Sequence, residues 1–585
     1  MPTPHYGWTG KVLRIDLAAR TAEIAGPDPE LYRAVIGGKG LAGYYLREHV
    51  TKSCDDPAMP LCLFTGPLTA TLSPTSGRMT IMSRSPLTGT VGDASVGGGL
   101  GTRLKHAGLD GIVVTGKSAT PAGIEIVDGS VRFCDAGALT GLGVHELAGR
   151  LAGKGSFAAI GPAAENRVAF ANIMVDEHYA AGRGGLGLLF AAKNLKYITV
   201  KGSGRVAVHD PEALGAARRD ILRLTMASPV LSGEHGFSCY GTGSLYDLMD
   251  SRRMMPTDNF RKTHFEQAGS LNAYAFKEKY LPRRAGCKGC HILCKRVTEG
   301  GVAMPEYEAM SHFTALCGNT DLATVVAANT LCNDLGLDTI STASTLACHA
   351  EIRGDTLAKD EILALITAIG RGENPELAQG AARYALAAKH PEAAMTVKGL
   401  ELPGYDPRGA YGLSLAYVTS TRGGCHLRAY PISHEILRKP VATDRFSYSG
   451  KARIVKIAED VNAVADSLTA CKFIFLAAGL EEYAKAFTAV TGLALGAQDL
   501  LECGERIYYN ERIMNAFNGF CDRDDDLPGR FFTADGSHGE GITVNALPRG
   551  EFLAARAAYY RIRGLSPHGL PLARKAKELG LTWND

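Results

Sequence analysis

The sequence predicts an α+β protein with a β-rich N-terminal domain followed by two mainly helical domains. Three observations carry that expectation. At 585 residues the chain is too long for one hydrophobic core. Short alternating apolar runs bounded by glycine-rich turns fill its first 200 residues, and amphipathic patterns of helical period follow near Gly204.

In order, Lys11–Leu17 (KVLRIDL) alternates as a strand, and Asp110–Thr115, Val168–Asn172 and Tyr197–Lys201 are further strand candidates. Gly123–Phe133 reads as a hairpin turning at Asp128-Gly129. One short helix is expected over Leu186–Ala192. Beyond the boundary, Pro211–Met226 has helical periodicity with Asp210 as N-cap. Helices are also predicted over Glu306–Leu316, Leu322–Leu335, Ser341–Ile352, Lys359–Ile369, Lys451–Ala465 and Ala497–Ala516. The expected domains are 1–205, 206–405 and 406–585, the second boundary lying in the loop-rich stretch Pro403–Gly412.

Composition excludes several function classes. A net charge of +3 with no dense Lys/Arg run leaves no footprint for nucleic acid. No stretch approaches 18 uninterrupted apolar residues, and the N-terminus, MPTPHYGWTGKVLRIDL, lacks a secretory pattern. The expected location is therefore cytoplasmic, with no membrane partner. Fourteen cysteines there are read as thiols and metal ligands rather than disulfides. The 69 glycines cluster in SVGGGLG (Ser95–Gly101) and GRGGLG (Gly182–Gly187), where bare backbone can approach a large polar ligand.

Cys287, Cys290 and Cys294 stand at C-x2-C-x3-C spacing in CKGCHILCKR. Zinc would accept thiolates so spaced, but no second C-x2-C follows and His291 is poorly placed to close a tetrahedron. An iron–sulfur cluster accepts a three-cysteine loop and one distant cysteine. Lys288, Lys295 and Arg296 flank the loop with positive charge. Spacing does not select the fourth ligand among the remaining cysteines, and GRGGLG lacks the preceding strand of a nucleotide-binding unit.

The series GWTGKVLRIDL, IGGKGLAGYYL (Ile36–Leu46), Phe64–Gly101, AAGRGGLGLLFAAKNLKYI (Ala180–Ile198), CKGCHILCKR, PEYE (Pro305–Glu308), NDLGLDTIS (Asn333–Ser341), TRGGCHLR (Thr421–Arg428), DSLTACKF (Asp466–Phe473) and GERIYYNER (Gly504–Arg512) resembles the aldehyde ferredoxin oxidoreductase family. It spans nearly the whole chain, in order. The resemblance implies a tungsten (or molybdenum) bis-molybdopterin cofactor, a 4Fe–4S cluster and a magnesium ion bridging the two pterin phosphates. It makes Cys471 the fourth cluster ligand. It places Asp466, with Ala470 and Lys472, at one pterin, and Asn333, Leu337 and Asp338 at the other. Arg78, Ser95, Gly97, Arg183 and Gly184 match positions near the phosphates and magnesium, and Arg422 and Arg428 match further cofactor contacts. Ser95 stands where the family often has Asn, and Thr469-Ala470 where it usually has Gly-Leu.

The resemblance also implies the chemistry, oxidation of an aldehyde to a carboxylic acid. Glu308 matches the active-site glutamate, with Glu306 as a near alternative, His426 the histidine and Tyr405 a tyrosine near the substrate. Electrons would leave for ferredoxin or a small iron–sulfur subunit. Some family dimers bind a bridging iron through E-x-x-H; the matching residues here, Ala327 to Thr330, offer no ligand, so any homodimer is expected to lack that iron. Two alternatives compete: a family branch with another substrate, such as an aromatic acyl-CoA reductase subunit, and a zinc-stabilised non-catalytic scaffold. The Tyr430–Ser449 stretch, close to His426, is a candidate for shaping the pocket.

Overall fold

A computed structural model describes residues 6–584, so the first five residues of the N-terminal stretch discussed above lie outside it. The N-terminal region holds two six-stranded sheets. The first is built from β1 (Val12–Asp16), β2 (Thr21–Ala25), β3 (Leu61–Phe64), β4 (Met79–Arg84), β5 (Val91–Val96) and β6 (Gly111–Thr115) in the order β2-β1-β6-β3-β4-β5. The second uses β7 (Ala122–Val127), β8 (Ser130–Asp135), β9 (Ser156–Ala159), β10 (Ile173–Val175), β11 (Tyr179–Ala181) and β12 (Leu195–Lys201), ordered β11-β10-β9-β12-β7-β8. Each contains one parallel pair, β1/β6 and β7/β12, among antiparallel ones. Edge strand β11 packs against edge strand β5, so the glycine-rich segments that follow both strands emerge side by side.

The expected hairpin forms as β7–β8. Asp128 and Gly129 have φ of 47° and 85°, the positive pair that lets a two-residue turn match strand twist. The strand expected over Val168–Asn172 does not form. Its backbone is instead satisfied by the helical region: Asn172 donates to Gly336 O at 2.8 Å, and Asp338 N to Phe170 O at 3.2 Å. The pairing strand begins one residue later, at Ile173. The segment is apolar because it lies beneath the turn at Gly336–Asp338.

The N-terminal region also contains helices the pattern did not announce: Pro29–Val35, Gly38–Arg47, Leu100–His106, Val144–Arg150 and Pro162–Glu165. Gly38–Arg47 carries three glycines and has poor intrinsic propensity. It is held by packing on β4 and on the helix Lys451–Leu468. Gly37, Gly38 and Gly66 cradle the C-terminus of that helix; a Cβ on Gly66 would overlap the Leu468 carbonyl. Gly66→Ala is therefore expected to destabilise the protein by about 1–3 kcal/mol, as overpacking does, measured by chemical denaturation.

Most helical expectations are met within a few residues: Pro211–Ala227, Leu322–Leu335, Thr339–Arg353, Lys359–Gly370, Lys451–Leu468 and Ala497–Phe517. Asp210 caps the first by accepting from Ala213 N at 2.9 Å. The Glu306–Leu316 segment differs. It is α-helical over Tyr307–Ser311 and widens to a π-turn over His312–Leu316. Such turns concentrate at functional sites. No helix among the described residues is long and apolar enough to cross a membrane.

Candidate active site

The cysteine trio sits on a ribbon of β13 (Arg283–Ala285) and β14 (Lys295–Val297), which holds residues 286–294 as its connecting loop. Thr75 joins this loop to Cys471. Its N–H donates to Gly289 O at 3.5 Å, and its carbonyl accepts from Cys471 N at 3.0 Å. Arg78, three residues on, lies within electrostatic reach of Cys471, Cys287 and Cys294, and Cys290 within that of both Cys287 and Cys471. The four thiols thus share one neighbourhood. They do not converge on a point: among the described residues, no three His, Cys, Asp or Glu side chains are set for a single metal ion. A zinc tetrahedron needs all its thiolates at ~2.3 Å from one ion; a cluster spreads them over several irons.

Cys471 is presented by an unusual turn. Thr469 closes the helix Lys451–Leu468 with φ of 56°, a left-handed conformation that glycine adopts more readily. Its hydroxyl repairs the cost. Oγ1 lies 2.6 Å from Thr69 Oγ1, accepts from Gly66 N at 3.1 Å and donates to Leu468 O at 2.7 Å. Thr469→Val is expected to lose these bonds, lower the melting temperature by several degrees and reduce iron content, read by thermal melts and iron assay.

Beside the thiols lies a cavity of about 340 Å³, within the range of pockets that bind sizeable ligands (roughly 300–1,000 Å³). The first sheet contributes Ser95, Gly97 and Arg78, whose Nε donates to Ser95 Oγ at 2.9 Å. Arg183 enters after β11, 7% exposed, with Nε 3.1 Å from Asp338 Oδ2. Asn333 and Leu337 line the wall near the C-terminus of the helix Leu322–Leu335, and Asp338 caps the next helix through Ser341. Asp466 and Lys472 pair at 2.8 Å on the facing wall, with Arg428 at 3.8 Å from the same carboxylate. Burial alone would raise the Asp466 pKa, but Lys472, Lys39 and Arg428 outweigh it and hold the group ionised. Arg422 lines the cavity and donates to Asp93 O at 2.7 Å.

Gly184 and Ala470 are not among the lining residues. Gly184, at φ of 82°, gives its carbonyl to Ser85 Oγ at 2.7 Å. Ala470 is fully buried and closes the helix end by donating to Ala465 O.

Whether these residues suit a pterin is tested by what they leave unpaired. Arg183 Nη1, Arg428 Nε, Asp93 Oδ2 and Asp466 Oδ1 are buried without hydrogen-bond partners. An unmet buried donor or acceptor costs about 1–3 kcal/mol, and native interiors keep few of them. Donors and acceptors wait together, in a wall where cations outnumber carboxylates. A ligand with anionic groups and a fixed array of donors and acceptors fits that set.

A glutamate and a histidine meet at the same cavity. Glu308 Oε1 is 3.3 Å from His426 Nε2, and Glu308 Oε2 accepts from Gly404 N at 2.8 Å. Burial pushes the Glu308 pKa up to about 7, against the pull of Gly404 N–H and Arg183. Burial, with Arg183 and Arg422, pushes His426 well below its usual range, leaving a neutral imidazole. The Tyr405 ring centroid lies 5.2 Å from that of His426. Glu308 Oε1 and His426 Nδ1 have no hydrogen-bond partner. Glu306 also lines the cavity, but its side chain is 47% exposed and pairs with Lys295 at 3.2 Å rather than with His426.

Several residues of the site escaped the sequence reading. Lys39 is 1% exposed and pairs with Glu511 at 2.7 Å and Asp93 at 3.6 Å; Arg428 pairs with the same Asp93. A lysine within GGKG carries no local signal of burial, and only the fold shows it buried. Cys425, beside His426, accepts from Arg422 Nε at 3.1 Å, Arg422 Nη2 at 2.9 Å and Leu427 N at 3.3 Å. Burial opposes its ionisation, but Arg422 and Arg183 pull its pKa below the usual thiol range. Tyr430 lines the cavity 6.1 Å from Tyr405 and 6.0 Å from His426, centroid to centroid, with a strained φ of 59°. Its closeness in sequence to His426 was the one available signal.

Comparison with known proteins agrees with this architecture. The family model described as "Aldehyde ferredoxin oxidoreductase, N-terminal domain" matches residues 12–202, and that for "domains 2 & 3" matches 216–581. The chain is 37% identical to the tungsten-containing aldehyde ferredoxin oxidoreductase of Pyrococcus furiosus, over 98% of this chain and 99% of that one. It is 36% identical to the protein of the same name from Thermococcus kodakarensis, with the same coverage. Among solved structures it resembles the active-site complex BamBC of benzoyl coenzyme A reductase, with a TM-score of 0.84 over 99% of this chain and 97% of that chain. At 21% identity that likeness speaks to the fold alone.

Proposed function

The chain belongs to the aldehyde ferredoxin oxidoreductase family and is an oxidoreductase, and on that premise we propose that it oxidises aldehydes to carboxylic acids, passing electrons to an external iron–sulfur protein. The observation that carries this reading is the pair Glu308–His426, 3.3 Å apart, in the cavity that Cys287, Cys294 and Cys471 also line. A tungsten bis-pterin would supply the two-electron couple, and a 4Fe–4S cluster the single-electron exit. Asp466, Asp338, Asn333, Arg183 and Arg428 would hold the pterins. Arg78 and the Ser95–Gly97 backbone would face their phosphates and magnesium. Cys287, Cys290, Cys294 and Cys471 would hold the cluster.

The protein's own part is proton handling and exclusion of water. Glu308 accepts a proton from the attacking water or hydrated aldehyde through its unpaired Oε1, and neutral His426, the weaker base of the two, donates a hydrogen bond to the substrate oxygen. Tyr405 donates a hydrogen bond to the substrate oxygen as charge develops. Tyr430 stands across from both and borders the space for the aldehyde substituent.

Metal analysis of the purified protein, with an electron paramagnetic resonance spectrum of its reduced form, tests the cofactor assignment. Tungsten and an iron–sulfur signal are expected, and a protein holding only zinc would sink the reading. Turnover of simple aldehydes with viologen dye separates this activity from a branch acting on aromatic acyl-CoA esters.

The pH profile follows from Glu308. A base must be ionised, and its pKa is about 7 instead of the ordinary 4.5. kcat/KM is therefore expected to rise about tenfold per pH unit below 7 and level off above it. A flat profile between pH 5.5 and 8 would exclude Glu308 as that base.

A further inference from the structure

The three cations that flank the cluster cysteines in sequence part company in the fold. Lys295 pairs with Glu306 at 3.2 Å. Arg296 spends its guanidinium on the carbonyls of Leu293, Phe237 and Ser238. Lys288, between Cys287 and Cys290, is exposed and has no ion-pair partner among the described residues. Two helices bring more positive charge to the same loop. Arg218, from Pro211–Ala227, meets His291 with Nη2 3.2 Å from Nε2. Arg103, from Leu100–His106, is exposed and flanks His106, which Lys288 approaches too. Neither Arg103 nor Arg218 has a carboxylate partner among the described residues.

This arrangement is costly for the isolated protein. Like charges gathered without carboxylates repel one another, and surfaces normally intersperse the two signs. Arg78 is the cation in electrostatic reach of Cys471, Cys287 and Cys294. The loop they surround carries Cys287, Cys290 and Cys294 and exposes Lys288, Gly289 and His291 to solvent. A cluster held by these cysteines would have this exposed loop between it and solvent.

We propose that this loop, ringed by Lys288, Arg103, Arg218 and His291, is the docking face for a small, freely diffusing, acidic iron–sulfur electron carrier. The proposal rests on the aldehyde-oxidising reading and adds where the carrier binds and what recognises it. Charge complementarity of this kind steers encounter and sets salt dependence more than it adds contact area, so a modest interface suffices for a redox encounter.

The test is the double variant Arg103→Glu/Arg218→Glu, assayed beside the unaltered holoenzyme with an acidic ferredoxin and with methyl viologen. At low ionic strength the variant's KM for ferredoxin is expected to rise about tenfold or more. The difference should shrink as salt approaches molar concentration, where the Debye length falls to about 3 Å. Aldehyde-dependent viologen reduction should not fall. A calorimetric titration of ferredoxin onto the enzyme, which needs no turnover, should show the same weakening. An unchanged ferredoxin KM and affinity would overturn the proposal, as would an equal loss with viologen, which would assign these charges to the cluster itself. Absence of viologen reduction by the unaltered enzyme would strike the aldehyde reading instead, and the titration would still decide the docking face.

Discussion

Glu308→Gln is expected to leave tungsten and iron content unchanged while lowering kcat roughly 10²- to 10⁴-fold, the usual worth of a positioned general base. The substitution is nearly isosteric. The amide oxygen can still accept from Gly404 N–H, the bond that holds the carboxylate at 2.8 Å. What disappears is the proton-accepting oxygen at 3.3 Å from His426. The pH inflection near 7 should disappear with it. Stability should move the other way. A folded pKa raised from 4.5 to about 7 means that stability from this group is present below pH 4.5 and lost as pH rises through 7. The neutral amide escapes that loss, so the variant should melt no lower than the parent at pH 8. Glu306→Gln is the control: an exposed residue paired with Lys295 should cost little activity. A near-normal rate in Glu308→Gln, or a collapse in Glu306→Gln alone, would reverse the assignment.

Cys471→Ser is expected to abolish the iron–sulfur signal and reduce aldehyde-dependent ferredoxin reduction to background. Serine keeps the shape and hydrogen-bonding but replaces a soft thiolate with a hard, poorly ionised hydroxyl. Because Cys471 N is tied to Thr75, and Thr75 to the trio's loop, the backbone should stay in place. The loss would therefore read as ligation and not as misfolding. Cys332→Ser and Cys348→Ser supply the contrast. Both thiols are buried in helix cores, and their removal should lower stability while sparing the cluster. Retention of a full cluster in Cys471→Ser would send the fourth ligand elsewhere.

The helical half of the fold was legible because its periodicity is strong and its caps are ordinary. Asp210, Asp321 and Asp338 each accept from the first turn of the helix they precede. Legibility failed where tertiary partners replaced local ones. Val168–Asn172 looked like a strand because it is apolar, yet its hydrogen bonds go to Gly336 and Asp338. Gly38–Arg47 was assigned no element because its glycines obscure a helical pattern, yet those glycines let the helix lie close against its neighbours. Lys39, Asp93 and Glu511 are charges with no local signature; the Lys39–Glu511 pair crosses hundreds of residues and exists only when the helix Gly38–Arg47 meets the helix Ala497–Phe517.

By itself the sequence determined the order of elements, the trio of cysteines and, through its series of motifs, the family. These are properties of local spacing, and helical period, turn chemistry and ligand intervals are all set within about twenty residues. Only the tertiary structure decided which glutamate faces His426, that Cys471 meets the trio across Thr75, and which of three flanking cations is left free at the surface. Those outcomes depend on burial and on partners far away in the chain. Burial sets the cost of each unpaired charge, and only the folded chain brings the partners that meet it.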